Sequence, residues 1–208
     1  MVGPFIRAIV VLLLVAAVSA GLLVFSIARR GLSTRTEPSR VEEMLARGMR
    51  RLAMPARVRA LTNPVDATDA VFEEGLEHFA DHCAVCHAND GSGDTEIGRG
   101  LYPRAPDMRE GRTQELSDGE LFAIIENGIR LTGMPAWGTG TPEGERASWA
   151  LVHFIRRLPR LTGDEIDRME SLNPKNLEQW REEEAARRFL AGDAAPPSTP
   201  HEHGAPAP

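Results

Sequence analysis

The chain has 208 residues and a formal net charge of −6, with 24 Lys+Arg against 30 Asp+Glu. That balance argues against a nucleic-acid binder, and 42% hydrophobic content argues against wholesale disorder. Only two cysteines are present, Cys83 and Cys86, too few for a disulfide framework. The charge is sorted along the chain: residues 1–66 hold 10 Arg and 4 acids, residues 67–162 hold 9 Arg and 16 acids, and residues 163–208 hold 5 basic groups and 10 acids. Segments sorted in this way usually meet different surroundings.

The first element is an uncharged apolar run, Ala8 to Ala28, flanked by Arg7 and by Arg29 and Arg30. It is long enough to cross a hydrocarbon core of ~30 Å, so residues 1–28 are expected to be a transmembrane anchor. Val18-Ser19-Ala20 offers an alternative as a signal-peptide cleavage site. Cleavage there would leave Leu22, Leu23, Val24, Phe25 and Ile27 on the mature N-terminus, which favours a retained anchor. Residues 29–66 are expected to be a juxtamembrane linker. It is rich in Arg, which suits anionic lipid headgroups. Ser39-Arg40-Val41-Glu42 matches a capping box, and Val41, Met44, Leu45, Met49 and Leu52 fall near one face, so a short amphipathic helix is predicted to about Leu52, ended by Pro55.

A folded domain is expected over 67–162. Its first helix runs from Asp69 to about Cys86, with Val71, Phe72, Gly75, Leu76, Phe79 and Ala80 as the buried stripe. Residues 88–116 have loop composition. Ser117-Asp118-Gly119-Glu120 opens a second helix that Gly128 stops, and Thr141-Pro142 opens a third through Leu158. A helical extension is expected over 163–192 and a disordered tail over 193–208. No convincing strand is seen, so the fold class is all-α.

The chemistry lies in Cys83-Ala84-Val85-Cys86-His87. Cys-x-x-Cys-His is the pattern of covalent haem c attachment. Two thiols three residues apart on one helical turn can add to the two vinyl groups of one porphyrin, and the next residue, His87, is then held beneath the iron as proximal ligand. A thioredoxin-type pair would need a strand–helix setting, and a structural zinc site would need four ligands. For the sixth iron ligand, Met134 is the first candidate because Gly133 and Pro135 frame it in a late loop. Met108, in Ala105-Pro106-Asp107-Met108, is its rival. His78 and His82 share a helix face but lack a third ligand, so they are expected to be surface residues. His153 is expected to be packed or exposed, and His201-Glu202-His203 to lie in a plain tail.

Cys83–His87 on a first helix, Gly133-Met134-Pro135 in a late loop and a closing helix together resemble the class I c-type cytochromes over about 67–162. Gly100-Leu101-Tyr102-Pro103, Pro106-Asp107 and the stretch Leu121–Arg130 resemble the single-haem bacterial members. The resemblance implies a class I cytochrome c fold behind an N-terminal transmembrane helix, one covalently attached haem c and one-electron transfer rather than enzymatic catalysis. It also implies that the proximal imidazole donates to a carbonyl near Tyr102-Pro103, and that Gly75 and Phe79 meet the helix of Trp149 and Phe154. The lysine ring through which some relatives dock their partners is missing, because residues 67–162 contain no Lys. The acidic domain would suit a basic docking face instead.

Haem attachment in this family occurs outside the bacterial cytoplasmic membrane, so a single-pass protein with a periplasmic haem domain is implied. The arginines after the apolar run point the other way by the positive-inside rule, and the cysteine motif is given more weight. Expected partners are a quinol-oxidising complex, a terminal oxidase or a dehydrogenase. The alternatives are a fixed haem subunit of one membrane oxidoreductase and, further off, a haem-based ligand sensor or peroxidase.

Overall fold

A computed structural model describes residues 3–31, 33–175 and 177–192. The expected tail, with His201 and His203, lies outside them. Among the described residues there are helices and no strands.

Helix α1, Pro4–Arg30, is longer at both ends than the uncharged run. Its stretch Pro4–Ser26 is apolar and long enough to cross a membrane, and none of it is buried by the rest of the chain. Helix α2, Arg40–Ala53, begins at the expected capping box: Ser39 accepts from the Glu42 amide, and the Glu42 carboxylate accepts from the Ser39 amide. A one-turn helix, α3 (Ala56–Arg59), follows Pro55.

The first domain helix is three pieces. Helix α4 covers Asp69–His78, a π-turn covers Phe79–Cys83, and α5 covers Ala84–His87. The loop to Leu116 carries two short helices, α6 (Glu96–Gly100) and α7 (Gly111–Gln114). Helix α8, Asp118–Asn127, has the expected capping box, and α9, Pro142–Arg157, has Thr141 as N-cap with Pro142 at its first position. Helix α10 spans Gly163–Leu172 and α11 spans Leu177–Leu190.

The core forms where α4 crosses α9. Leu76, Phe79, Leu151, Val152 and Phe154 are fully or almost fully buried there. Phe154 packs its ring against Phe79 at 4.9 Å and Phe72 at 5.7 Å, while Trp149 stacks on Phe122 at 4.1 Å. Gly75 makes the crossing close: a Cβ there would sit 2.6 Å from the Ala150 carbonyl oxygen and 2.9 Å from Phe154 Cβ. Gly75→Ala should therefore destabilise the domain by about 1–3 kcal/mol, despite alanine's better helix propensity. A lowered urea midpoint with unchanged slope would show it, and an unchanged midpoint would contradict the crossing.

Two segments expected as appendages pack onto this domain. Met169 of α10 is fully buried in the same core, and Arg168 pairs with Glu73 of α4. One buried apolar residue on a short charged helix leaves little periodic signal in a sequence. The linker also docks. Asn63 Nδ2 donates to the Trp149 carbonyl at 2.9 Å, and Gly119 of α8 lies flat against the Val58 carbonyl and Leu61.

Candidate haem site

The π-turn sits directly before the attachment motif. Its closing bond runs from the Ala84 amide to the Phe79 carbonyl, one residue wider than an α-turn. Such an insertion re-aims every side chain after it, and π-turns cluster at functional sites. Here it turns Cys83 inward while Cys86 and His87 follow on α5. Burial pushes the Cys83 thiol up to about 12, with Cys86 adding to the shift, and burial also raises the Cys86 thiol. Both sulfurs are therefore S–H at neutral pH. Exchange-active and metal-binding cysteines instead need a lowered pKa and a thiolate.

His87 closes α5, and Ala88 after it takes φ 60° and ψ 158°, a conformation that favours glycine. The imidazole lies 6.5 Å from the Phe79 ring. Burial, the larger effect, holds it below the ordinary histidine pKa, and the Pro106 carbonyl acts in the opposite sense. The approach to Pro106 falls short of hydrogen-bond geometry, so Nδ1 is buried without a partner. The Pro106 carbonyl is nevertheless the backbone group that acts on the ring, not one at the Tyr102-Pro103 position the resemblance suggests. A neutral imidazole with Nδ1–H turned to a carbonyl keeps its Nε2 lone pair for a metal.

The loop carrying Pro106 is pinned against the residues after His87. The Met108 amide donates to the Gly91 carbonyl at 2.8 Å, and the Gly93 amide to the His87 carbonyl at 2.8 Å. Gly93, at φ +73°, lets the chains approach: a Cβ would stand 2.5 Å from the Ala105 carbonyl oxygen. Arg109 joins Asp107 to Asp90 with contacts of 2.7 Å on each. Gln114 then ties this loop to α9, donating to the Met108 carbonyl at 2.7 Å and the Ile155 carbonyl at 2.9 Å.

The Arg109 guanidinium, hydrogen-bonded to Asp107, holds that carboxyl below its usual pKa. A depressed folded-state value means that the stabilisation is complete above the ordinary aspartate pKa of about 4 and is lost as the pH falls through the lower folded value. Asp107→Asn should remove it, costing about 0.2–1 kcal/mol at pH 7 and narrowing the gap to the parent in acid. Acid-unfolding curves of the two proteins would converge at low pH; parallel curves would contradict the linkage.

The second wall comes from the loop after α8. Gly128, at φ +63°, ends that helix, and a Cβ there would meet the Met134 carbonyl oxygen at 2.6 Å. The Met134 amide donates to Thr132 Oγ1 at 3.1 Å, its carbonyl accepts from the Ile129 amide at 3.1 Å, and the Trp137 amide donates to the Ile125 carbonyl at 3.0 Å. Gly133 abuts the Leu101 side chain, and the Trp137 ring meets His82 edge-on at 5.3 Å. The Met134 loop thus touches both the helix leading into the motif and the 95–101 segment, which itself packs against the Cys86 carbonyl through Gly98.

Other sequence candidates fall elsewhere. Met108 is buried in the hydrophobic core. His78 and His82, expected at the surface, are half-buried, with rings 4.9 Å apart. Burial and the neighbouring His82 hold the His78 pKa low. His153 is packed, its Nε2 2.7 Å from the Val65 carbonyl oxygen. The π-turn and the Pro106 carbonyl had no local signature that would have revealed them.

These residues fit a covalently bound haem. They provide two protonated thiols three apart, a half-buried imidazole influenced by the Pro106 carbonyl, and a methionine loop whose Trp137 rests on the helix leading into the motif. A sequence model of the family described as cytochrome c oxidase, cbb3-type, subunit III matches residues 70–155, spanning both the attachment motif and the Met134 loop. Residues 70–155 of this chain therefore form a c-type cytochrome domain that follows an N-terminal apolar helix.

Proposed function

We propose that the protein is a membrane-anchored monohaem cytochrome that passes single electrons between periplasmic faces of redox proteins. The observation that carries this reading is the pairing of Cys83-x-x-Cys86-His87 with a braced Met134 loop. Cys83 and Cys86 would hold haem c as thioethers, and His87 and Met134 would be the axial ligands. Bound haem supplies a one-electron iron couple, and a methionine ligand favours its reduced state. With only two cysteines in the chain, one attached haem is the full complement.

The rest of the chemistry belongs to the protein. The Pro106 carbonyl would orient His87 once a hydrogen bond closes between them, Phe79 and Phe154 exclude water behind the ring, and Gly128 fixes the course of the Met134 loop. With His87 and Met134 both holding the iron, no position would remain open for substrate, and the protein would act as a carrier rather than an enzyme. Its donors and acceptors would be a quinol-oxidising complex and a terminal oxidase or dehydrogenase.

A second reading, a fixed haem subunit of one membrane oxidoreductase, is favoured by the match to a family named for an oxidase subunit. Two measurements test the proposal. Carbon monoxide added to the reduced protein at neutral pH should leave the spectrum unchanged; ready binding would overturn the two-ligand carrier and favour a sensor or peroxidase. Purification in mild detergent should yield the chain alone, whereas stoichiometric recovery with oxidase subunits would establish the second reading.

A further inference from the structure

We propose that α2 lies in the headgroup layer of the membrane and holds the haem domain against an anionic lipid surface. This inference rests on α1 being a retained membrane anchor. Helix α2 presents Val41, Met44, Leu45, Met49 and Leu52 on one stripe, and these side chains are 57% to 89% exposed. None of the described residues covers them. At 100° per residue the stripe spans roughly 140° of the helix, and Glu43 lies about opposite its centre.

The opposite side of α2 faces the domain. The Tyr102 hydroxyl donates to Glu42 at 3.2 Å, and Glu43 pairs with Arg112 at 3.4 Å. Just before the helix, Glu37 pairs with Arg104 at 3.5 Å. Arg59 of α3 clasps the end of α2, donating to the Arg51 carbonyl at 3.1 Å and the Met54 carbonyl at 2.7 Å. Since α3 is packed on α8 at Gly119, the apolar stripe is held pointing away from the domain. Its two acidic residues are turned to the protein.

Three features identify a lipid surface as the occupant. First, only nine residues, 31–39, separate α1 from α2. Nine residues span at most about 30 Å, so the helix cannot stray far from the membrane face. Second, Arg40, Arg47 and Arg51 line one edge of the apolar stripe while both acids of α2 are engaged by Tyr102, Arg47 and Arg112, giving that edge of the lipid side a positive rim. Third, a short helix with an apolar stripe and an arginine-rich polar face is the chemistry of interfacial helices that bind anionic lipids. The domain behind it carries 16 acids against 9 Arg over residues 67–162 and would be repelled by the same lipids without this spacer.

The test uses the full chain with its haem in vesicles of phosphatidylcholine and phosphatidylglycerol that contain a phospholipid with a photoreactive acyl chain. Labelled peptides are mapped by mass spectrometry. Acyl-chain label is expected on both α1 and residues 41–52. The label on 41–52 should fall several-fold without phosphatidylglycerol and should be lost in Leu45→Glu/Met49→Glu, while α1 labelling persists. These substitutions are at exposed positions, so the domain should remain folded and its haem spectrum unchanged. Label on α1 alone overturns the proposal and leaves the anchor intact. Absence of label from both segments overturns the anchor reading as well. Crosslinking of 41–52 to another protein in native membranes, with lipid label confined to α1, would assign the stripe to a protein partner instead.

Discussion

Replacing both Cys83 and Cys86 with alanine is expected to abolish haem retention through denaturation. On a denaturing gel stained for haem, the parent chain should be coloured and the double variant colourless. Each single variant should keep a reduced signal through one remaining thioether. The expectation rests on the state of the two sulfurs. Burial pushes the Cys83 thiol up to about 12 and also raises Cys86, so neither is the low-pKa thiolate of an exchange couple. Their geometric assets are a three-residue spacing on adjoining turns and the adjacent His87. An unstained gel for the parent chain would refute covalent attachment. Undiminished staining of the double variant would place the attachment elsewhere.

The same site shows what the sequence can and cannot convey. Local rules carried the caps: Ser39, Ser117, Thr141 and Thr162 each sit where a hydroxyl accepts from an amide two or three residues into the helix. The attachment motif was equally legible because its chemistry demands contiguous residues. The π-turn at Phe79–Cys83 was not, since nothing in that segment differs from ordinary helix, and a π-turn there answers to the packing around it. The Pro106 carbonyl was misplaced by three residues for a related reason. Tyr102-Pro103 and Ala105-Pro106 look alike locally, and the choice is made by contacts of Ala105 with Gly93 and of Met108 with Gly91, in the loop after His87. Amphipathic pattern revealed that α2 had an apolar face but not that its polar face would dock on Tyr102 and Arg112. Pattern favoured Met134 over Met108 through the framing Gly133 and Pro135, but could not show that Met108 is buried in the hydrophobic core.

That pair supplies the second large expected effect. Met134→Ala should lower the reduction potential, on the order of 0.1 V or more within the ~0.8 V span that axial ligands command, and should let the reduced protein bind carbon monoxide. Met108→Ala should do neither, yet should cost about 2–5 kcal/mol of stability, as large-to-small changes in a core do. The two residues differ in surroundings, which makes the outcomes separable. Met108 is buried among core residues and its backbone is held by Gly91 and Gln114. Met134 is half-buried in a loop whose backbone is anchored at Thr132 and Ile129, and whose neighbour Trp137 rests on His82. A variant away from the thioether adds a check. Gly128→Ala puts a methyl group 2.6 Å from the Met134 carbonyl oxygen and forces alanine into φ +63°, so it should displace the loop and reproduce part of the Met134→Ala shift. If Met108→Ala moves the potential while Met134→Ala leaves it unchanged, the axial assignment is reversed. If neither variant moves it, the sixth ligand is not a methionine from either loop.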